Sequence, residues 1–274
     1  MLFSIITVCK NPGKSIIKTL ESVLNQDTNS IEYIVVDGAS TDGTLEILKE
    51  YIQRFEKLGK RFILISEPDK GIYDAMNKGL KISTGDYVSV LGAGDYYYKY
   101  NTINTIKELV EKNVYPEIIY GDSAYEFDKQ LRFKKNKAMS INELKKATSL
   151  PATFEAMFIL GDLARKHEFN LKYDVSADFE RFLRIMNLED IKSVLYIPTV
   201  ICVREFGGYS DKNSLKVLEE YSEILKQYGV NYNISFIYKF WVGLKDSIKG
   251  FLPRKIWFYI FSLKNRKNYS KNYS

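Results

Sequence analysis

The chain alternates apolar, strand-like runs with amphipathic helical stretches, and loops of Asp and Gly follow the strands. Leu2 to Cys9, Ile31 to Val36 and Phe62 to Ser66 are the first three runs. Between them, Ile16, Ile17, Leu20, Val23 and Leu24 recur at helical spacing, and a second helical pattern covers about Thr44 to Phe55. Nearly continuous apolar strands suit a sheet covered on both faces. The alternation therefore predicts an α/β fold, a doubly wound, mostly parallel, Rossmann-like sheet with right-handed crossovers. In such sheets ligands bind at the C-terminal strand ends. Loops 37–43, 67–74 and 92–95 would meet along that edge.

The stretch from Glu67 to Asp95 holds most of the chemistry. Ile72, Ala75, Met76 and Leu80 mark a short helix, with Asp69 and Gly71 ahead of it and Ser83-Thr84-Gly85-Asp86 ending it. Tyr87 to Leu91 is a strand that delivers the turn Gly92-Ala93-Gly94-Asp95. Small residues there let a ligand approach the backbone, and Asp95 at a strand end is suited to a hard cation beside a phosphate. The plainer reading of Asp95 is a turn residue or helix cap.

A chain of 274 residues can form one large domain, and 45% hydrophobic with 27% charged residues is ordinary globular composition. Cys9 and Cys202 are too few for a disulfide framework, and with His167 as the single histidine a zinc site is excluded. The N-terminus enters a strand without a leader-like pattern, which with the free cysteines sets the expectation of a cytoplasmic protein. No apolar run has the length of a spanning helix. Net charge is +6, yet from Lys239 onward nine Lys or Arg face one acid, leaving the first 238 residues at −2. Basicity thus belongs to the tail, which argues against a nucleic-acid groove across the main domain.

The segments SIITVCKN, EYIVVDGASTDGT, EPDKGIYDAMNKG and TGDYVSVLGAGD together resemble the family 2 glycosyltransferases that assemble bacterial surface polysaccharides, over about residues 3 to 210. The resemblance implies a GT-A fold, a nucleotide-sugar donor, a divalent cation (Mn²⁺ or Mg²⁺) and inversion at the anomeric carbon. It assigns Thr7, Cys9 and Asn11 to the nucleobase and ribose and Asp37 to the uracil imide. Asp69, Lys70, Asp74 and Asn77 would serve the donor, and Asp95 the metal. Lys78 reads equally as solvated surface, and Asp42 and Thr44 as turn and cap residues. Gly94 stands where the family often carries a further Asp, and Phe154-Glu155 where it usually carries His-Gln.

After Asp95 the pattern becomes irregular. Tyr96, Tyr97, Tyr98 and Tyr100 read as packing rather than as a sugar platform. Thr102 to Lys112 is a helix, EIIYGD ends in Asp122 as a possible acceptor-side group, and Lys129 to Lys137 reads as an exposed hairpin or loop. His167 is expected on a helix surface. Asp178 opens a helix with Phe179, Phe182, Leu183 and Met186 inward, so the family likeness makes it the general base, with Asp174 and Glu180 as substitutes and a simple N-cap as the bland reading. Arg204, before a Gly-Gly loop, could neutralise a diphosphate.

This divides the chain into a nucleotide-sugar part (1–98), an acceptor part of the same domain (99–215) and a helical, basic-aromatic tail (216–274). Between Ile234 and Leu252, aromatic and aliphatic residues fall on one helical side with lysines at its flanks, which suits an anionic membrane surface and a lipid-linked saccharide acceptor on the inner face of the cell membrane. The competing readings are a nucleotide-binding regulator of the same fold and a sugar nucleotidyltransferase.

Overall fold

A computed structural model describes residues 1–205, 207–230 and 269–270. The amphipathic tail expected beyond residue 230 lies outside the described residues. Strands β1 (Phe3–Cys9), β2 (Ile31–Asp37), β3 (Arg61–Ser66) and β4 (Tyr87–Val90) alternate with helices α1 (Ile16–Leu24), α2 (Thr44–Lys57) and α3 (Ile72–Ile82). All seven residues of β1 and of β2 are buried, as strands covered on both faces must be. They pair in parallel, Phe3 with Ile31 through Cys9 with Asp37, while β3 joins β2 and β4 joins β1 in the same sense. Every one of these strands therefore ends on the same edge.

The second half extends this sheet rather than forming another. Helix α4 (Thr102–Lys112) leads to β6 (Ile118–Phe127), which pairs antiparallel with β7 (Gln130–Lys134) and with β8 (Met157–Leu160), and β8 pairs antiparallel with β4. The short β5 (Tyr96–Tyr97) pairs with β9 (Val194–Glu205), which also runs parallel to β6. Helices α5 (Ile141–Lys145), α6 (Gly161–Lys166), α7 (Ala177–Leu188), α8 (Tyr209–Lys212) and α9 (Ser214–Gln227) complete it, with a two-residue β10 (Tyr269–Ser270) beside β7. Among the described residues no helix is long and apolar enough to cross a membrane.

Three expectations change here. Asp122 is 1% exposed and accepts hydrogen bonds from the Asn136 N–H (2.7 Å) and the Tyr196 hydroxyl (2.8 Å), so it holds the β6 bend and does not face an acceptor. His167 is buried, with Nε2 2.7 Å from Glu189, because it follows α6 where the chain turns under α7. The 129–137 segment is a hairpin arm, but Lys134 within it is half-buried. Three of the four tyrosines pack: Tyr96 and Tyr97 lie in β5, and Tyr98 meets Phe133 edge-on at 5.8 Å, whereas Tyr100 is exposed.

A buried carboxylate ties the sheet to the turn after α3. Glu32, fully buried in β2, accepts from the Ser4 hydroxyl (2.9 Å) and the Thr84 N–H (2.9 Å) and pairs with Arg61 (2.9 Å). Gly85 closes the same network by donating to Ser4 Oγ at 2.8 Å. A Cβ on Gly85 would stand 2.6 Å from the Ser4 nitrogen and 2.9 Å from the Leu2 carbonyl oxygen, both backbone atoms that cannot move aside. Gly85→Ala is therefore expected to cost about 1–3 kcal/mol through overpacking, read as a lowered midpoint in urea unfolding; an unchanged midpoint would mean that this turn gives way freely.

Candidate active site

The loops that follow β1, β2 and β3 meet at Gly38. Its N–H donates to the Cys9 carbonyl at 2.8 Å, and a Cβ there would collide with the Asp69 carboxylate and approach Lys10 Cβ to 3.4 Å. Asn11 binds the second loop, its Oδ1 accepting from the Thr41 N–H and its own N–H donating to Ser40 Oγ, both at 2.8 Å. Beside this junction lies a cavity of about 640 Å³, walled by Cys9 and Lys10 after β1, Gly92 and Asp95 after β4, and Tyr73 of α3. Its far side brings Glu155, Asp178, Arg204 and Glu205.

Asp95 is anchored by one oxygen. Its Oδ1 accepts from the Glu205 N–H at 2.9 Å, whereas Oδ2 has no hydrogen bond among the described residues. A Cβ on Gly92 would sit 2.6 Å from that Oδ2, so the glycine makes room for the carboxylate. Burial, and then the negative charge of Glu155, push the Asp95 pKa up, with Arg204 acting in the opposite direction. Gly94 explains why a second carboxylate is absent from this turn. Its φ is +101°, a conformation that side chains disfavour, and a Cβ there would lie 3.2 Å from Glu205 Oε2. Glu205 thus brings its carboxylate close to the place that a residue-94 side chain would use. Sequence reading passed over Glu205; its place directly after Arg204 at a strand end was the available signal.

Glu155 and Arg204 stand between the two candidate carboxylates. Glu155 Oε2 lies 3.1 Å from Arg204 Nε, and Arg204 also donates to the Tyr125 hydroxyl at 3.1 Å. Burial disfavours the Arg204 charge, but Glu155, Tyr125 and Asp95 more than compensate and raise its pKa.

Asp178 is the second residue of α7, not its N-cap, which is Ser176. Its Oδ1 accepts from the Tyr73 hydroxyl (3.2 Å) and the Phe179 N–H (2.8 Å), leaving Oδ2 without a hydrogen bond among the described residues. Burial raises its pKa to about 6, Glu155 adds to this, and the Phe179 N–H opposes it. The preceding loop is fixed from α9, where the buried Glu220 accepts from the Asp174 N–H (2.9 Å) and the Val175 N–H (3.1 Å). Of the substitutes for Asp178, Asp174 pairs with Lys216 at the surface and Glu180 is buried against Arg184. Neither lines the cavity.

Several donor-side expectations are placed differently. Thr7 is wholly buried, donating to the Leu91 carbonyl (2.8 Å) and accepting from Tyr33 (3.0 Å), so its side chain secures β1 and cannot touch a base. Asn77 is corrected likewise. It turns away from the cavity and clamps the Phe169 main chain, donating to its carbonyl (2.9 Å) and accepting from its N–H (2.7 Å). Asp74 accepts from the Lys70 N–H at 2.9 Å and so braces the start of α3, leaving the Lys70 side chain exposed. Lys78 stays at the surface, bonding the Pro68 carbonyl at 2.7 Å and Glu67 at 2.8 Å. Asp37 is buried, holding Ser40, Ser66 (2.7 Å) and the Cys9 thiol (3.7 Å), so meeting a base requires exchange of one of these donors. Asp69 closes its own turn on the Gly71 N–H at 2.9 Å.

The residues present fit a divalent cation. Asp95 has an oxygen unbonded among the described residues, its charge is held down by burial and then by Glu155, and Glu205 adjoins it. Among the described residues no three His, Cys, Asp or Glu side chains form a metal cluster. Such an ion would therefore complete its shell with ligand oxygens and water, as hard cations do.

Replacing Asn77 by Ala strands a buried N–H and C=O of Phe169, at a cost of about 1–3 kcal/mol for each unsatisfied group. The expected outcome is a lower unfolding midpoint with nucleotide affinity unchanged, measured by calorimetry; a folded variant that lost nucleotide binding would return Asn77 to the donor site.

Residues 4–169, more than half the chain, match the family described as Glycosyl transferase family 2. A PGL/p-HBAD biosynthesis glycosyltransferase of Mycobacterium tuberculosis is 30% identical over 223 residues, 79% of this chain and 84% of the relative. A putative teichuronic acid biosynthesis glycosyltransferase, TuaG of Bacillus subtilis, is 34% identical over 113 residues, 41% of this chain and 43% of the relative. Among solved structures, S. aureus TarS 1-349 in complex with UDP superposes with a TM-score of 0.64 at 18% identity, covering 87% of this chain and 68% of that one. The mannosyltransferase PcManGT from Pyrobaculum calidifontis, in complex with GDP-Man and Mn²⁺, gives 0.62 at 16% identity over 86% of this chain and 66% of that one. The chain belongs to glycosyltransferase family 2, a glycosyltransferase of the GT-A fold.

Proposed function

We propose that the protein transfers a hexose or N-acetylhexosamine, with inversion, from a nucleotide sugar to a hydroxyl of a lipid-linked saccharide acceptor in cell-surface polysaccharide synthesis. The observation that carries this reading is that Asp95 and Asp178 share one cavity, each anchored through Oδ1 with Oδ2 unbonded. The relative named for teichuronic acid biosynthesis supports a surface polymer as product, and the TarS complex supports UDP as the nucleotide. The basic, aromatic tail supports an acceptor held at the inner face of the cell membrane.

Inverting transfer needs an acceptor hydroxyl deprotonated as it attacks and a leaving nucleoside diphosphate neutralised as it departs. Asp178 takes the proton on Oδ2. With a pKa of about 6 it is ionised at neutral pH yet more basic than an ordinary carboxylate, which favours proton transfer. Tyr73 and the Phe179 N–H hold its other oxygen and so fix the direction of Oδ2. Arg204 meets the diphosphate charge as donor oxygens compete with Glu155 for it. A divalent cation, Mn²⁺ or Mg²⁺, would be held by Asp95 with Glu205 beside it and would supply Lewis-acid neutralisation of the leaving group. A double displacement would need a nucleophilic carboxylate beneath the anomeric carbon, a role for which no residue stands out.

Hydrolysis of a panel of UDP-sugars and GDP-mannose, with and without Mn²⁺, tests the donor half. Metal-dependent nucleotide release that disappears in Asp95→Ala is expected; a folded protein that binds and cleaves none of them would overturn glycosyl transfer in favour of a nucleotide-binding regulator.

With the acceptor present, Asp178→Asn is expected to lower kcat by about 10²–10⁴-fold, the usual contribution of a general base, while UDP affinity holds. Loss of the base by protonation acts in the same direction, so kcat/KM should fall as pH drops through about 6. The groups facing Asp178 are Tyr73, Glu155 and Arg204. A residual activity in Asp178→Asn that kept this acid limb would assign it to another residue.

A further inference from the structure

The ribbon formed by β6, β7 and β9 has two unlike faces. Laterally paired residues share a face and neighbours along a strand alternate. Ala124, Phe133 and Val203, in register with one another, form a small core on one side. The flanking positions fall on the other side: Ser123 opposite Lys134 and Cys202, and Tyr125 opposite Arg204. Lys134, Tyr125 and Arg204 all line the cavity.

The charges on this wall do not balance. Arg204 is answered by Glu155 at 3.1 Å and by the Tyr125 hydroxyl at 3.1 Å. Lys134 is half-buried, and among the described residues its ammonium has neither an ion pair nor a hydrogen bond. Burial, and then the like charge of Arg204, lower its pKa, and among the described residues no acid acts against them. Beside it in register, the Ser123 hydroxyl is fully buried and makes no hydrogen bond among the described residues, so this part of the ribbon is short of a polar partner. A half-buried ammonium beside a second cation keeps its full charge only if an anion joins it.

We propose that Lys134, together with Arg204, forms a subsite for an oxyanion carried by the acceptor, a phosphate or a carboxylate. The inference rests on the glycosyl-transfer reading, and the sheet order gives the side. The nucleotide loops follow β1, β2 and β3, whereas Lys134 lies on β7, separated from β1 by β6, β8 and β4. Asp95 and Glu155 act on Arg204, and neither acts on Lys134. Arg204 therefore bridges the donor diphosphate and this second anion, while Lys134 serves the second anion alone. A lipid-linked acceptor could present its diphosphate here, and an acidic saccharide its uronate.

The test is calorimetry on the full chain saturated with UDP and Mn²⁺, so that the donor anion is already in place. Inorganic phosphate, D-glucuronate and D-glucose are titrated in turn. Phosphate or glucuronate should bind, and Lys134→Gln should weaken that binding about tenfold, the size of one charge-assisted hydrogen bond. Lys134→Arg should keep it, and UDP affinity should be the same in all three proteins. Tighter phosphate would identify a phosphorylated acceptor, and tighter glucuronate an acidic sugar.

The proposal is overturned if neither oxyanion binds, if glucose binds as well as they do, or if folded Lys134→Gln binds them like the wild type. It is also overturned if Lys134→Gln weakens UDP by the same factor, since Lys134 would then belong to the donor diphosphate. Failure of UDP itself to bind would overturn the donor reading instead. In that case phosphate titrated without UDP still decides: a loss in Lys134→Gln supports the anion subsite, and equal binding overturns it.

Discussion

The ion pair between Glu155 and Arg204 is the interaction on which the chemistry of this cavity depends. Two charges removed from water are stable only with each other or with further partners, and removing one member of such a pair commonly costs about 3–5 kcal/mol. Both members line the cavity, and their charges reach Asp95 on one side and Asp178 on the other. Glu155 discourages ionisation of either Asp, and Arg204 favours it. A ligand that draws Arg204 away leaves Glu155 uncompensated and raises the demand for positive charge nearby. Under the proposed function, binding of an anionic donor and of a cation would be linked through this one pair.

The carboxylates themselves are positioned by donors from distant parts of the sequence, a main-chain N–H for Asp95 and a tyrosine hydroxyl for Asp178. Asp95 takes its bond from Glu205, 110 residues later, and Asp178 leans on Tyr73, 105 residues earlier. Each bond crosses between the two halves of the chain. The shared sheet makes this possible, since β8 pairs directly with β4 and β9 with β5. Each carboxylate thus draws one anchoring bond from the other half of the chain, across a sheet that runs continuously through both.

The extent to which sequence revealed this follows from the range of the interactions. Strand and helix patterns depend on neighbours within a few residues, so β1 to β4 and α1 to α4 were legible to within one or two residues. The meeting of the loops was legible as well, because parallel strands of a doubly wound sheet have no other place to put them. Individual polar residues were not. Asn77 has the spacing of a pocket residue on α3, but its partner is the main chain of Phe169, 92 positions away. Asp122 was read as an acceptor-side group and His167 as a helix-surface residue for the same reason: Tyr196 and Glu189 approach them only in the fold.

Gly94 shows how such a gap closes once coordinates are available. By sequence it is a missing carboxylate and a reason to suspect weak cation binding. In the fold, its positive φ lets the turn carry its N–H to Thr19 Oγ1 at 2.8 Å, and Glu205 brings a carboxylate to the same place from β9. The turn's chemistry is thus divided between two strands. A one-residue motif records only the half that comes from β4, and the other half is written 110 residues later, beside the arginine that answers Glu155.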